Sequence, residues 1–226
     1  MNSFQMITRS KTNNRVARPG KRYDLVLAGT ALVVACLLTG CARSPASRHY
    51  VFAPREGWQQ VAVRDSVSSD YTIRFALVKL PAYLDRPHIV TRTSDNEIVL
   101  DKFNRWGMSL SQTVTELLGG TIARQLTNAY VDVITATSSR QSGYLVQADI
   151  VRLDGFIGGP VELIAQWQVT RGGSDPVVLI QRLSRFEVGS TEKNIAAYVE
   201  AVRELVARMG EEIADIIEQD RETLTP

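Results

Sequence analysis

Two cysteines, Cys36 and Cys41, carry the most nucleophilic side chains in this chain of 226 residues. A thiolate can attack a carbonyl group, bind a metal, form a disulfide or accept an acyl group. Residues 25–40 form an apolar run that ends directly before Cys41. This run is too short to span a bilayer, since about 20 apolar residues are needed. The neighbours of the two cysteines therefore indicate which chemistry applies.

Cys41 follows Leu38, Thr39 and Gly40. A leucine and two small residues before a cysteine resemble the lipobox at which bacterial signal peptidase II cuts. Small side chains let the chain enter the protease in an extended form, and the thiol carries the lipid. We predict that Cys41 bears a diacylglycerol group and acyl chains such as palmitate. The alternative interpretation is a short helix with a chance cysteine.

The residues before the apolar run are strongly basic. Six lysines and arginines precede the run, against the single acid Asp24. A basic segment before a short apolar segment is typical of a secretory signal peptide. We therefore predict that residues 1–40 are a lipoprotein signal peptide that is removed. Translation from either Met1 or Met6 retains these basic residues.

The predicted lipid determines how the protein meets its membrane. Three chains on one cysteine exceed the two lipid signals that suffice for stable anchoring. In Gram-negative lipoproteins, aspartate after the cysteine favours retention at the inner membrane, whereas this chain has Ala42. We predict a protein that is anchored to the outer membrane, does not span it, and faces the periplasm. Residues 41–48 are predicted to be a lipidated tether, because they are small, polar and contain a proline.

Net charge and cysteine content argue against a nucleic-acid-binding protein and against a fold held by disulfides. Beyond residue 40 the chain has 20 basic and 23 acidic residues, so its net charge is −3. This balance gives no electrostatic support for nucleic-acid binding. With Cys36 removed and Cys41 acylated, no thiol remains for a disulfide. We expect one ordinary hydrophobic core in a single domain over residues 49–220, followed by a tail over 221–226.

Few other residues suggest catalysis. His49 and His88 are the only histidines in the sequence, and neither has a partner at metal-ligand spacing. The sequence contains no nucleophile elbow, phosphate-binding loop or dinucleotide fingerprint. Asp149 and Asp154 are weak candidates for the paired acids of a glycosidase. We predict no metal site, no enzymatic activity, and no cofactor other than the lipid on Cys41.

Alternation of apolar and polar residues predicts eight strands. A short strand is expected near residues 49–54, a longer one over 71–81, and a hairpin over 87–103 that turns at residues 94–96. In the strand over 71–81, Ile73, Phe75 and Leu77 are expected to share one face. Four more strands are expected at 130–136, 143–156, 161–171 and 176–188. Glycine-rich turns join the last three of these, so they are predicted to form a meander with one wet face.

Two segments have helical periodicity. The first begins near Ser109, which forms a plausible capping box with Gln112. Gly119-Gly120 inside this helix suggests a kink or a close packing contact. The second runs from about Ser190 or Thr191 to about residue 219. We predict an α+β fold, in which two main helices pack on one face of an antiparallel or mixed sheet.

Apolar residues in the second helix are spaced alternately by four and three positions: Ile195, Val199, Val202, Val206, Met209, Ile213 and Ile216. This spacing is the a/d seam of a coiled coil. One interpretation is that the seam packs the helix on its own sheet, which needs both helices to cover it. The other is a seam shared with a second subunit, which would make the protein a homo-oligomer.

The lipobox, the order of strands and helices, and residues 77–126 together resemble the ABC-type transport auxiliary lipoproteins, a PqiC or YmbA-like family of membrane integrity-associated transporter subunits. The matching residues are Leu80-Pro81-Ala82-Tyr83-Leu84-Asp85-Arg86-Pro87, then Ile89-Val90-Thr91-Arg92, and Arg105-Trp106 before the first helix. The resemblance implies a non-catalytic subunit of an envelope transport system that moves lipids or other hydrophobic solutes between membranes. Its implied partners are a periplasmic MCE-domain protein and an ABC permease and ATPase.

The residues that match the family suggest a place for partner binding. Two prolines limit strand pairing at the ends of residues 81–87, so Tyr83, Leu84 and Arg86 are candidates for display on a stiffened loop. Trp106 is a candidate interface anchor. The alternative is that Tyr83, Leu84 and Trp106 fold back into the core. Two rival functions are a lipid carrier with an apolar cavity and, less well supported, an envelope hydrolase.

Overall fold

The computed structural model describes residues 46–52, 71–126, 129–134, 143–189 and 192–224. The two helices are α1 (Leu110–Gln125) and α2 (Ile195–Leu224). The eight strands are β1 (Arg48–Tyr50), β2 (Tyr71–Ala76), β3 (His88–Ser94), β4 (Glu97–Trp106), β5 (Ala129–Ile134), β6 (Tyr144–Gly155), β7 (Pro160–Arg171) and β8 (Val177–Gly189). The predicted signal peptide and lipobox lie outside the described residues.

The strands form two sheets. The larger sheet has the order β5-β2-β6-β7-β8, and the smaller one has the order β1-β4-β3. In the larger sheet, β5, β2 and β6 are parallel, whereas β6, β7 and β8 are an antiparallel meander. The structure thus confirms the α+β class, the mixed sheet and the meander. The insertion of β2 between β5 and β6 has no local signal in the sequence.

Strand β6 joins the two sheets through one edge. β2 pairs with the first three residues of β6, where Ile73 is opposite Tyr144. Further along, Lys79 bonds across to the backbone of Ala148 and Ile150 at 3.2 and 2.9 Å. At the far end, a single parallel bridge links Arg92 of β3 to Phe156. The small sheet is therefore held at the carboxyl end of β6.

Both helices cover one face of the larger sheet, as predicted. The inward side chains of β7 are almost completely buried: Leu163, Ala165, Trp167 and Val169. The seam of α2 lies against this face and against α1, with Val202, Val206, Met209 and Ile213 at most 1% exposed. The heptad spacing thus packs the helix within its own chain. Neither described helix has the length and hydropathy to cross a membrane.

The two predictions about α1, its capping box and the role of Gly119-Gly120, have different outcomes. The predicted capping box is wrong, because the Ser109 side chain makes no capping hydrogen bond. Gln112 instead donates to Glu116 at 3.0 Å, one turn along the helix. The helix continues through Gly119-Gly120, and a Cβ on Gly119 would lie 3.3 Å from Val131 of β5. A close packing contact therefore accounts for this glycine.

The start of α2 was also predicted too early. Ser190 and Thr191, the predicted caps, lie outside the described residues, and the helix begins at Ile195. The side chain of Asn194 accepts a hydrogen bond from the Ala197 N–H at 2.8 Å. This is the geometry of an asparagine N-cap, which satisfies one of the unpaired amides of the first turn.

The predicted alternation over residues 71–81 fails at its end. Ile73 and Phe75 are fully buried as expected, but Leu77 is 51% exposed and Val78 is 1% exposed. The reason is that β2 ends at Ala76 and the chain shifts by one residue before Lys79 rejoins β6. Backbone bonding of Val78 to α1 stabilises this shift, since its N–H donates to Thr115 Oγ1 at 3.0 Å.

The turn between β6 and β7 leads to the first testable prediction. A Cβ on Gly155 would overlap the carbonyl oxygen of Pro160 and lie 2.5 Å from Val161 Cα. Backbone atoms cannot rotate away as a side chain can, so Gly155→Ala should destabilise the protein by about 2 kcal/mol. Thermal unfolding of the purified protein measures this effect.

Gly189→Ala is the matched control for that change. Gly189 also ends a strand, but a Cβ there meets no atom within 4 Å. We expect this variant to stay within about 0.5 kcal/mol of the wild type. Equal melting temperatures for the two variants would show that the close approach of β6 and β7 is not a constraint.

Candidate functional site

Residues 81–87 form a compact turn rather than an open loop. Backbone N–H groups of Leu84 and Asp85 donate to the carbonyl of Pro81 at 2.9 and 3.2 Å. The Arg86 guanidinium donates to the carbonyl of Ala82 at 3.2 Å, which closes the turn from outside. Arg86 is partly exposed, while Leu84 is only 2% exposed. The turn thus presents Arg86 and buries Leu84.

Trp106 is also largely in the core. It is 6% exposed, packs edge-on against Phe52 at 5.7 Å between ring centroids, and donates its backbone N–H to Pro87 at 2.7 Å. Leu84 and Trp106 therefore fold back as the alternative interpretation expected. Partner binding by Tyr83, Leu84, Arg86 and Trp106 stays a prediction.

Tyr83 leads from the turn to a buried carboxylate. Its hydroxyl donates to Asp154 Oδ2 at 2.6 Å. Arg92 of β3 contacts both oxygens of the same carboxylate, and Arg152 of β6 donates to Oδ1 at 2.9 Å. Asp154 is 0% exposed. Side chains from the turn, the small sheet and β6 therefore all contact the same buried carboxylate.

The charges continue across the sheet. Arg152 also pairs with Glu162 of β7 at 2.7 Å, and Glu162 pairs with Arg185 of β8. Glu162 is only 6% exposed. Buried charges are costly unless they are paired and hydrogen-bonded, so these partners are a requirement of burial. We call Tyr83, Arg92, Arg152, Asp154 and Glu162 the ion cluster.

A bulge in β6 places the Asp154 side chain on the same face as Arg152, where it contacts Tyr83 and Arg92. Pairing with β7 slips between Ile150 and Arg152, and Val151 at the slip is 53% exposed. Beyond the bulge, Leu153 points to the core at 2% exposed. Side chains alternate along a strand, so Arg152 and Asp154 share the opposite face. Bulges commonly redirect side chains in this way.

Burial and hydrogen bonding oppose each other at Asp154. Burial raises the pKa of this carboxyl, but hydrogen bonds from Arg92, Tyr83 and Arg152 outweigh it and hold the pKa below its ordinary value. Burial, followed by the hydrogen bond to Asp154, raises the pKa of Tyr83. Asp154 is thus a carboxylate and Tyr83 a neutral phenol at neutral pH. Neither group therefore changes its charge near neutral pH, which suits a structural role.

The geometry does not suit the acid pair of a glycosidase. A general acid must be protonated and must reach the substrate, whereas Asp154 is ionised and buried. Asp149 lies on the exposed side of β6, where it pairs with Lys79 at 3.5 Å. No group of acids and histidines in the described ranges could hold a metal ion.

A surface groove lies beside the turn. It has a volume of about 380 Å³ and is lined by Asp85, Arg86, Pro87, Trp106, Gly107, Met108, Ser109 and Leu110. We call it the Met108 groove, because Met108 is its most exposed apolar side chain at 40%. Gly107 shapes it by donating its N–H to the carbonyl of Tyr50 at 2.7 Å. The groove therefore combines an apolar floor with Asp85 and Arg86 at its rim.

Sequence reasoning missed most of this arrangement. It named Asp154 only as a weak catalytic candidate and Arg92 only as part of the family pattern. A usable signal existed, since Arg152, Asp154 and Glu162 are charges within otherwise apolar strands. Such charges predict partners, although not which partners. Met108 had no signal in the sequence, because an isolated methionine does not indicate whether it is exposed.

Comparison with known proteins shows the family. A sequence model of the ABC-type transport auxiliary lipoprotein component matches residues 55–214. The chain therefore belongs to this family and is an auxiliary lipoprotein component of ABC-type transport. Among curated proteins, no sequence matches the chain significantly.

Solved structures show the same fold. The crystal structure of an uncharacterized protein is 18% identical, with a TM-score of 0.61 over 76% of this chain and 99% of its own. A Xanthomonas campestris protein of the DUF330 family is 14% identical, with a TM-score of 0.54 over 80% of this chain and 99% of its own. Both solved structures therefore share the fold of this chain over most of its length.

The ion cluster leads to the second prediction. Asp154→Asn removes the negative charge and leaves Arg92 and Arg152 without it. Breaking a buried pair typically costs 3–5 kcal/mol, and we expect about 3 kcal/mol because Arg152 keeps Glu162. Urea unfolding at neutral pH measures the loss. Asp149→Asn is the control, and it should change stability by less than about 0.5 kcal/mol because its ion pair is exposed.

The pH dependence gives a sharper test of the same charge. The folded pKa of Asp154 is lowered, so its contribution is complete above the unfolded value of about 3.9 and is lost as the pH falls through the folded value. Wild type and Asp154→Asn should therefore converge in stability under strongly acidic conditions. A difference that stays constant with pH would show that the variant acts by altered packing.

Proposed function

We propose that this protein is a non-catalytic lipoprotein subunit of an MCE/ABC-type envelope transport system. Its lipidated Cys41 anchors it to the periplasmic face of the outer membrane, and its folded domain docks a periplasmic MCE-domain protein. The complex moves lipids or other hydrophobic solutes between the membranes and so supports membrane integrity. ATP is used by the permease and ATPase of the same complex.

One observation carries this proposal, the family match over residues 55–214. The family is described as an auxiliary lipoprotein component, which agrees with a lipid-accepting cysteine at position 41. The geometry adds a reason for the non-catalytic role. In the part of the chain that the structure describes, the buried charged groups of the ion cluster are paired with one another rather than directed at a substrate.

The Met108 groove is the docking site in this proposal. Protein interfaces combine an apolar centre with a polar rim, and arginine and methionine are enriched in them. Met108 and the edge of Trp106 supply the apolar part, and Arg86 supplies a donor at the rim. The ion cluster holds the turn through Tyr83, so the groove is built on a rigid support.

The groove lies at the carboxyl end of β4, beside the strand that follows the tether. Strand β4 runs from the hairpin turn to Trp106, which spans about 30 Å at 3.3 Å per residue. Residues 41–47 precede β1, and β1 pairs with the last three residues of β4. The tether therefore joins the domain at the end of β4 that presents the groove, and the hairpin turn lies at the other end.

The lipid-carrier alternative needs an apolar cavity. Phe75, Leu118, Leu205 and Met209 between the sheet and the helices are each 0% exposed, so side chains occupy this layer. Close packing of this kind leaves no room for an acyl chain. The described structure therefore favours docking over cargo binding.

Photo-cross-linking in cells tests the docking proposal. A photoreactive amino acid at Met108 should cross-link an MCE-domain protein, which mass spectrometry identifies. The same amino acid at Glu211, on the exposed face of α2, is the matched control and should give no such adduct. Equal adducts from both positions, or none from Met108, would contradict docking in the groove.

The anchor has a separate test in Cys41→Ser. Without a thiol to accept lipid, we expect the protein to leave the outer-membrane fraction and the Met108 adduct to fall at least about tenfold, since tethering raises the effective concentration of a partner by orders of magnitude. Density-gradient fractionation with immunoblotting measures the location. A protein that stays in the outer membrane after this change does not depend on Cys41 for anchoring.

A further inference from the structure

The hairpin β3–β4 exposes an unusual set of apolar side chains. Ile98, Val99, Leu100 and Phe103 of β4 are 37%, 42%, 36% and 41% exposed, and we call them the β4 patch. Runs of three consecutive exposed apolar residues are rare in a soluble domain unless they bind something. The proposed docking groove does not include these residues. They need an explanation of their own.

The β4 patch is exposed on both faces of the strand. Ile98 and Leu100 lie opposite Arg92 and Val90, whereas Val99 lies opposite Thr91. Successive side chains of a strand point to opposite faces, so the apolar groups project on two sides. Within the described residues, β1 pairs only with the last three residues of β4. No other described strand pairs with the edge of β4 along the patch.

The direction of β1 relates this edge to the lipid anchor. β1 is parallel to β4, with Arg48 opposite Asn104 and Tyr50 opposite Trp106. The chain before Arg48 thus approaches from the side of the strand that carries the β4 patch. Arg48 lies seven positions after Cys41, so the tether reaches at most about 25 Å and typically about 15 Å. The β4 patch therefore lies within reach of the bilayer.

The charged groups around the patch are compatible with a phospholipid surface. Lys102 and Arg48 are exposed beside it. Two of the acids nearby accept hydrogen bonds from the protein itself, Asp101 from the N–H groups of Phe103 and Asn104 at 2.8 Å and Glu97 from the Thr93 hydroxyl at 2.5 Å, while Asp95 in the hairpin turn is exposed. Exposed apolar groups mixed with basic ones are typical of segments that lie in a membrane interface.

We propose that the β4 patch rests in the headgroup region of the membrane that holds the lipid anchor. Open backbone groups along β4 find water and phosphate partners there, which the hydrocarbon core does not offer. The patch acts as a second contact that sets the orientation of the domain, with the Met108 groove at the far end of β4. This inference rests on the proposed acylation of Cys41.

Depth-dependent fluorescence quenching tests the inference. The lipidated protein, with Leu100→Cys carrying an environment-sensitive fluorophore, is reconstituted into vesicles of phosphatidylethanolamine and phosphatidylglycerol. Lipids with a nitroxide at the headgroup should quench roughly half of the emission, because interfacial side chains lie about 5–10 Å deep. Leu183→Cys is the control, since Leu183 is 65% exposed on the open face of the larger sheet and should show no quenching.

The possible outcomes distinguish a failure of the lipid anchor from a failure of the patch contact. A protein that does not float with the vesicles lacks the anchor and overturns both the anchor and the patch contact. A protein that floats without quenching at Leu100 overturns the patch contact alone. Emission that is shielded from water but not quenched by nitroxide lipids shows protein on the patch and also overturns it. Val99→Cys replaces the first variant if Leu100→Cys loses its native circular dichroism, and the same results are expected.

Discussion

The burial of one carboxylate organises this structure. Asp154 lies out of reach of water, so it requires donors, and Tyr83, Arg92 and Arg152 supply them. These donors come from the turn, the small sheet and β6. Once they converge, the position of the small sheet against the larger one is determined. The Met108 groove depends on the same contacts, because the turn that Tyr83 holds forms one of its walls.

Strand β4 gives the domain two distinct ends. The half nearer the hairpin turn carries the β4 patch, and the carboxyl end, where β1 joins, presents the Met108 groove. A subunit that is anchored to one membrane and binds a partner from another benefits from such a separation, since the two contacts do not compete for the same surface.

Much of the fold could be predicted because its signals are local. Alternation predicted the hairpin around Asp95 and the meander of β6, β7 and β8, and the helical period predicted α1 and α2. Errors arose where a neighbour overrode the pattern. Leu77 faces solvent because the chain shifts to rejoin β6, and Ser109 does not cap α1 with its side chain. The role of the seam in α2 was left open, since spacing alone does not specify which surface it covers.

The sequence by itself determined the features that need only adjacent residues: the strands and helices and the family that residues 77–126 resemble, and it also predicts a lipobox at Cys41. Tertiary structure alone decided the partners of Asp154, which lie 62 and 71 residues away at Arg92 and Tyr83. It also decided that Leu84 and Trp106 are buried while Met108 is exposed. The physical reason is that a charge or an apolar side chain specifies that it must be covered, whereas the packing of distant elements specifies what covers it.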